Sequence, residues 1–153
     1  MFEIRYAVPD DAEALSQIAI KAKAHWGYPE SLMQVWRPTL TFRPEYFNEN
    51  ENWIAEVDYQ PIAFYTLQEK AGTAWIENLW VLPDYIGKGV GRQLFLHALS
   101  RARELGHRIL QLEADPNALG FYEKMGMSKI GERHSEVEGQ PRPRVLPIME
   151  MFL

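Results

Sequence analysis

Three glycines at alternate positions, Gly87, Gly89 and Gly91, stand between an apolar run and a helical stretch, with Lys88 between the first two and Arg92 just after the third. Amides at the start of a helix point outward and the helix dipole favours negative charge there, so a phosphate is the natural guest of such a bend. Glycine lets that guest approach the main chain. The string is not a P-loop, which needs G-x-x-x-x-G-K-[ST]. Nor is it a dinucleotide fingerprint, whose third glycine would fall at Leu94 and whose strand would open a parallel βαβ unit. Just upstream, "AWIENLWVL" is apolar on both alternating sets, with Trp75, Leu79 and Val81 on one side and Ala74, Ile76, Trp80 and Leu82 on the other. That predicts a central strand covered on both faces. Glu77 and Asn78 interrupt it, one on each face. An ionised carboxylate in a dry core is costly, so Glu77 is expected to meet a partner or a water-filled cleft. Two roles stay open for it: a structural pair with His25 or an arginine, or a general base whose carboxyl pKa burial would raise.

The elements that must position these groups follow from periodicity. "FEIRYA" alternates as a strand, and Ala14, Leu15, Ile18, Ala19 and Ala22 then form one helical stripe opened by Pro9, Asp10 and Asp11. A second helical stretch runs from Pro29 to Val35, and "RPTLTFRPEYFNENE" reads as loop or short turns. "WIAEV", a turn at "DYQ", "PIAFYTLQE" and "TAWIENLWVL" make an antiparallel meander. Val90, Leu94, Phe95, Ala98, Leu99, Ala102 and Leu105 recur at helical spacing up to Gly106. A strand "RILQLEA", a short helix "NALGFYEKM" ending at Gly126 and a strand "SKIGER" follow. The tail "EVEGQPRPRVLPIMEMF" is a Pro- and Gly-rich loop entering a last strand, in which Pro147 predicts an edge position or a bulge.

A chain of 153 residues, 46% apolar and 24% charged, has the composition of one globular unit, so residues 1–153 are expected to form a single α+β domain with a mixed sheet. The absence of cysteine excludes disulfides and thiolate chemistry and fits a reducing compartment. A formal charge of −5 argues against nucleic acid, which wants a basic face, and leans toward cationic partners. With neither a signal-peptide pattern nor a run of about 18 apolar residues, no membrane association and a cytoplasmic location are expected.

"VLPDYIGKGVGRQL", with "LEADPNALGFYEKMGMSKIGE" some way downstream, resembles the GNAT superfamily of N-acetyltransferases along the whole chain. The family motif [QR]-x-x-G-x-[GA] falls on residues 86–91, with Ile86 in place of the usual Arg or Gln. The resemblance implies an α/β/α layered fold, a mostly antiparallel sheet flanked by helices, and acetyl-CoA as cosubstrate. It implies that backbone amides from Gly87 through Lys88, Gly89, Val90 and Gly91 to Arg92 hold the pyrophosphate. The pantetheine arm would lie along Leu79, Trp80 and Val81, wedged where this strand and "ILQLEA" splay apart. Asn117 matches a pantetheine contact, although asparagine there also suits a plain helix N-cap. Tyr122 matches the family's tyrosine near the sulfur, the general acid for the departing thiolate.

An amine acceptor must attack neutral, and lysine's pKa of about 10.4 calls for a base, for which Glu77 is the candidate. A main-chain N–H on the central strand, that of Val81 or a neighbour, would meet the oxyanion. No metal is called for. His25, Trp26, Tyr28 and Trp36 cluster in the acceptor-side region, where aromatics can wall a pocket for a cation or pack helices onto the sheet. His25 could itself serve as base or orient Glu77. The expected acceptor is a small-molecule or peptide amine. A homodimer would suit the resembled family. The alternative is a non-catalytic acyl-CoA-binding sensor module of the same fold.

Overall fold

The structure, a computed structural model, describes residues 2–136 and 142–153. Its elements run β1 (Glu3–Tyr6), α1 (Ala12–Ala24), α2 (Glu30–Trp36), α3 (Tyr46–Glu49), β2 (Glu51–Val57), β3 (Gln60–Lys70), β4 (Thr73–Val81), α4 (Val90–Glu104), β5 (Ile109–Glu113), α5 (Leu119–Lys124), β6 (Ser128–Ser135) and β7 (Arg144–Phe152). This is the expected order with one addition, the short α3 inside the segment predicted to be loop or turns. Much of the expected Pro- and Gly-rich loop, residues 137–141, lies outside the described residues.

The strands form one seven-stranded sheet ordered β1-β2-β3-β4-β5-β7-β6, antiparallel except where β4 meets β5. Two short turns set the meander's register. Asp58 and Tyr59 join β2 to β3 with φ of 49° and 64°, and Ala71 and Gly72 join β3 to β4 with φ of 51° and 80°. Positive φ at both central residues is what a two-residue hairpin needs to match the strand twist.

Each face of the sheet carries its own core. On one side α4 and α5 lie over Ala63, Tyr65, Leu67, Ala74, Ile76 and Leu110, with Leu94, Phe95, Ala98 and Ala102 buried beneath α4. On the other, Leu15, Ile18 and Ala19 of α1 and Met33 of α2 meet Ile54 and Phe64. Leu105, expected on the buried stripe, lies at the C-cap of α4 and is exposed, because the helix ends one residue before it.

Pro147 is not on an edge strand: β7 lies between β5 and β6. The β5–β7 ladder runs only to Glu113 opposite Ile148, and the Pro147 carbonyl accepts from the Ala114 N–H at 2.9 Å just past it. A residue's N–H and C=O leave a strand on the same side, so the missing proline donor falls where the ladder is already ending. Nor does a bulge fall at Pro147, which pairs regularly with Glu132; the register shift of this ladder lies on β6, between Lys129 and Gly131.

Among the described residues no helix is long and apolar enough to cross a membrane.

Candidate active site

β4 is the middle strand, as its all-round apolarity predicted, but its alternation breaks at Glu77. Thr66 of β3 pairs with Asn78 and Leu67 with Ile76, so Glu77 is an extra residue with no partner across the ladder. Such a bulge bends the strand and re-aims the side chains beyond it. Ala74 and Ile76 therefore share a core with Leu79 and Val81, while Trp80 packs into the opposite one. Strict alternation had set Ala74 and Ile76 with Trp80. It had also put Glu77 and Asn78 on opposite faces, yet both line the same two cavities.

Glu77 is exposed rather than buried, so it is not the carboxylate in a dry core that the strand pattern suggested. Its Oε2 accepts a 2.6 Å hydrogen bond from the Tyr46 hydroxyl, and among the described residues it pairs with neither His25 nor an arginine.

β4 and β5 share ladder pairs only at Ala74 with Leu110 and Trp75 with Gln111. Beyond these the strands separate, and a cleft of about 350 Å³ occupies the gap. One wall is β4, through Glu77, Leu79, Trp80 and Val81; the other carries Asn117 and Tyr122, with Trp26 at one side. Gly87, Gly89, Gly91 and Arg92 stand at its mouth. Lys88 points its ammonium toward the Tyr85 ring, 5.4 Å from the centroid, and the Val90 side chain is buried under the helix.

Gly87 and Gly89 have φ of +81° and +83°, and no protein atom lies within 4 Å of where a Cβ would stand on either. Backbone conformation, not crowding by the protein, is what demands glycine here. Gly89 is the N-cap of α4, which has no side-chain cap and no acidic residue in its first turn. The first amides of that 15-residue helix are left as open donors facing an anion-sized space. These residues fit a diphosphate. Ile86, 44% exposed, sits on the rim where the family motif carries a polar side chain.

Tyr122 is buried to 7% and borders the cleft, yet its hydroxyl makes no hydrogen bond to another described residue. Burial, helped by the charge of Asp115, pushes its pKa up, so it keeps its proton at neutral pH. Asn117 is not the N-cap of its turn. Asp115 is, accepting the Asn117 N–H at 2.9 Å, and the Asn117 amide donates to Asp115 and to the Tyr28 hydroxyl.

A second groove of about 790 Å³ lies beside the cleft, and Glu77, Asn78, Trp80, Glu113 and Asp115 line both. His25 is exposed at the C-cap of α1, stacked edge-on to Trp26, and borders neither cavity. Trp26 borders the cleft and Trp36 the groove. Tyr28 stands behind both, its ring edge-on to Trp36 at 4.8 Å.

The sequence model of the acetyltransferase (GNAT) family matches residues 14–127, from α1 through the glycine bend to the end of α5. The chain belongs to the GNAT family. It is an acetyl-CoA-dependent N-acetyltransferase. It is 29% identical over 145 residues to the peptidyl-lysine N-acetyltransferase YjaB of Salmonella typhimurium, a match covering 94% of each chain. Among solved structures, an N-acetyltransferase from Rhodopseudomonas palustris superposes with a TM-score of 0.82 at 23% identity, over 99% of this chain and 95% of that one. The PaiA N-acetyltransferase from Thermoplasma acidophilum, solved in complex with coenzyme A, gives 0.79 at 23% identity over 100% and 99% of the two chains. These two share the fold.

In this GNAT acetyltransferase a charged cluster ties α1 and α2 to the end of β5 and to β7. Lys23 Nζ lies 2.6 Å from Asp115 Oδ2, both side chains 9% exposed, and Arg144 reaches the same oxygen at 3.3 Å. Lys23 and Arg144 lie 4.4 and 4.5 Å from the centre of the Trp36 ring. Burial lowers the Lys23 pKa against the pull of Asp115. Burial pushes the Asp115 carboxyl up, but hydrogen bonds and charge from Lys23, with the Asn117 donors, overcome this and hold it below the ordinary 3.8. The stabilisation Asp115 supplies is whole above that pH and drains away as pH falls through the lower folded value. Asp115→Asn leaves Lys23 buried without its counter-charge. We expect a loss of about 3 kcal/mol at neutral pH, at the low end for a broken buried pair because Lys23 can shed its proton. Urea unfolding midpoints measure this.

Tyr46, Lys23, Asp115 and Arg144 were missed as site residues by sequence reasoning. Tyr46 lies in a segment with no periodicity, and Arg144 enters from the last strand. Asp115 alone carried a local signal, an Asp directly before a proline that opens a helical turn.

Proposed function

We propose that residues 1–153 work as one domain that moves an acetyl group from acetyl-CoA to a primary amine by direct attack in a ternary complex. The observation that carries this is the shared wall: the cleft that suits the coenzyme and the groove beside it meet at Glu77, Asn78, Trp80, Glu113 and Asp115. A donor and an acceptor entering by separate routes would converge there. Acetyl-CoA supplies the activated thioester.

The chain's own groups do the rest. Amides of the Gly87–Arg92 bend hold the diphosphate, and the unpaired edge of β4 along Leu79, Trp80 and Val81 receives the arm. Glu77, at the junction, takes the proton of the incoming ammonium, directly or through water, since an amine of pKa about 10.4 is otherwise charged at neutral pH. The Val81 N–H faces the developing oxyanion. Tyr122 gives its proton to the departing sulfur.

The acceptor we propose is a lysine side chain presented on a peptide. The Salmonella relative named for peptidyl-lysine supports this. The groove itself carries both signs, with Lys23, Arg43, Arg133 and Arg144 beside five carboxylates, and it is Glu77 and Glu113, bordering both cavities, that stand where an ammonium would arrive. The absence of cysteine suits work in the reducing cytoplasm.

Two measurements test the proposal. A thermal melt with acetyl-CoA at about 100 times its Kd should add roughly 2.7 kcal/mol of stability. Thiol release from acetyl-CoA should then depend on added amine, with an N-terminally blocked single-lysine peptide preferred over free lysine and spermidine. Equal or better use of the small amines would overturn the peptide assignment, and release independent of any amine would overturn the transfer itself.

A further inference from the structure

A line of side-chain hydrogen bonds crosses three strands and ends on Glu77. Asn52, Thr66 and Asn78 are successive cross-strand partners on β2, β3 and β4. Asn52 and Thr66 are almost wholly buried, at 1% and 0% exposure. Polar groups so deep are kept only where their bonds are satisfied. The Thr66 hydroxyl donates to Asn52 Oδ1, and Asn78 Nδ2 donates both to Thr66 Oγ1 and to the Tyr46 hydroxyl, each at 3.1 Å.

The direction of every proton in this line is settled by Trp80. An indole N–H can only donate, so the Asn78 atom 3.1 Å from Trp80 Nε1 must be the oxygen. The Asn78 NH₂ therefore faces Tyr46 and Thr66. Tyr46 accepts from Asn78, and its own single proton goes to Glu77 Oε2 at 2.6 Å. Burial and the neighbouring carboxylate raise the Tyr46 pKa, so it remains a donor. The Tyr46 ring is also fixed, packed 5.0 Å from Phe42 and 5.8 Å from Phe47.

We infer that Tyr46 is a positioning residue for proton removal from the acceptor amine. It holds the Glu77 carboxylate by Oε2 and leaves Oε1 as the oxygen that takes the amine proton. This rests on the assignment of Glu77 as base. Glu77 is the extra residue of a bulge and the one exposed side chain of β4, and without Tyr46 its carboxylate would sample several rotamers, only some of which face the amine.

A double-mutant cycle tests this, using thiol release from acetyl-CoA with the single-lysine peptide, or with spermidine if that is the better amine. Glu77→Gln should lower kcat by about 10²-fold. Tyr46→Phe should lower kcat by about 10-fold with the KM for acetyl-CoA unchanged, and should cause no further loss in the Glu77→Gln background. Wild-type kcat in Tyr46→Phe overturns the inference and leaves the base assignment standing. So does an equal loss in both backgrounds, since Tyr46 would then act apart from Glu77. Wild-type kcat in Glu77→Gln overturns the base assignment and the inference with it, as does a wild-type protein that uses no amine. If Tyr46→Phe loses its acetyl-CoA-dependent melting shift, Thr66→Val takes its place. It removes a hydroxyl that touches neither cavity, and a smaller kcat loss that vanishes beside Glu77→Gln is expected; no loss overturns the inference.

Discussion

Replacing Tyr122 with phenylalanine lowers kcat by about 10²-fold and leaves acetyl-CoA binding nearly intact. The ring's packing survives the change: it lies 5.1 Å from Phe121 and 6.0 Å from Phe95, contacts that phenylalanine keeps. Only the hydroxyl is lost, and among the described residues it holds nothing together. Its position on the cleft wall leaves a chemical use as the remaining one. A departing thiolate resembles that of cysteine, with a pKa of about 8.5, whereas a tyrosine of about 10 or above is protonated at neutral pH and can donate. Thiol release at saturating acetyl-CoA measures the loss, and the acetyl-CoA-dependent melting shift measures the retained binding. Unchanged turnover would take Tyr122 out of the mechanism.

Gly89→Val should weaken acetyl-CoA binding by at least about 10²-fold, a loss measured separately from its cost to the free protein. Gly89 has φ of +83° at the N-cap of α4, a region where a branched side chain costs on the order of 1–3 kcal/mol. The backbone can escape that strain only by turning to negative φ, which swings the neighbouring amides away from the cleft mouth. A hydrogen bond to a charged group is worth about 1.5–3 kcal/mol, so losing two of them is at least about a hundredfold in affinity. The check is a pair of melts: without ligand Gly89→Val should melt lower than wild type by no more than about 1–3 kcal/mol of strain accounts for, and with acetyl-CoA at about 100 times the wild-type Kd its added stability should fall from about 2.7 to at most about 0.4 kcal/mol. A full shift would mean that the bend does not hold the coenzyme.

The glycine bend was legible in the chain itself, and for a local reason, whereas Tyr122 was reached only through the family resemblance. The bend before α4 needs positive φ at Gly87 and Gly89, which glycine adopts without strain, and a run that is apolar on both alternating sets identifies a middle strand before any partner is known. The order of strands and helices was readable from periods of 2 and 3.6, and the family motif joined the glycine bend to Tyr122. What periodicity alone could not reach was the short α3, where four residues form a helix inside a segment with two prolines and three asparagines or glutamates around them.

Local pattern thus determined the order of strands and helices, the glycine bend and the central strand with a carboxylate inside it, and the family resemblance supplied the layered arrangement. Tertiary structure alone decided what surrounds that carboxylate. Alternation along β4 put Glu77 and Asn78 on opposite faces, and only the pairing of Thr66 with Asn78 and Leu67 with Ile76 shows that Glu77 is skipped. A skipped residue inverts the parity of every side chain after it, and whether it is skipped depends on the neighbouring strand's register rather than on its own sequence. For the same reason Tyr46, Asp115 and Arg144 entered the site unannounced: they lie far apart in the chain, and only the closed sheet with its packed helices brings them to one place.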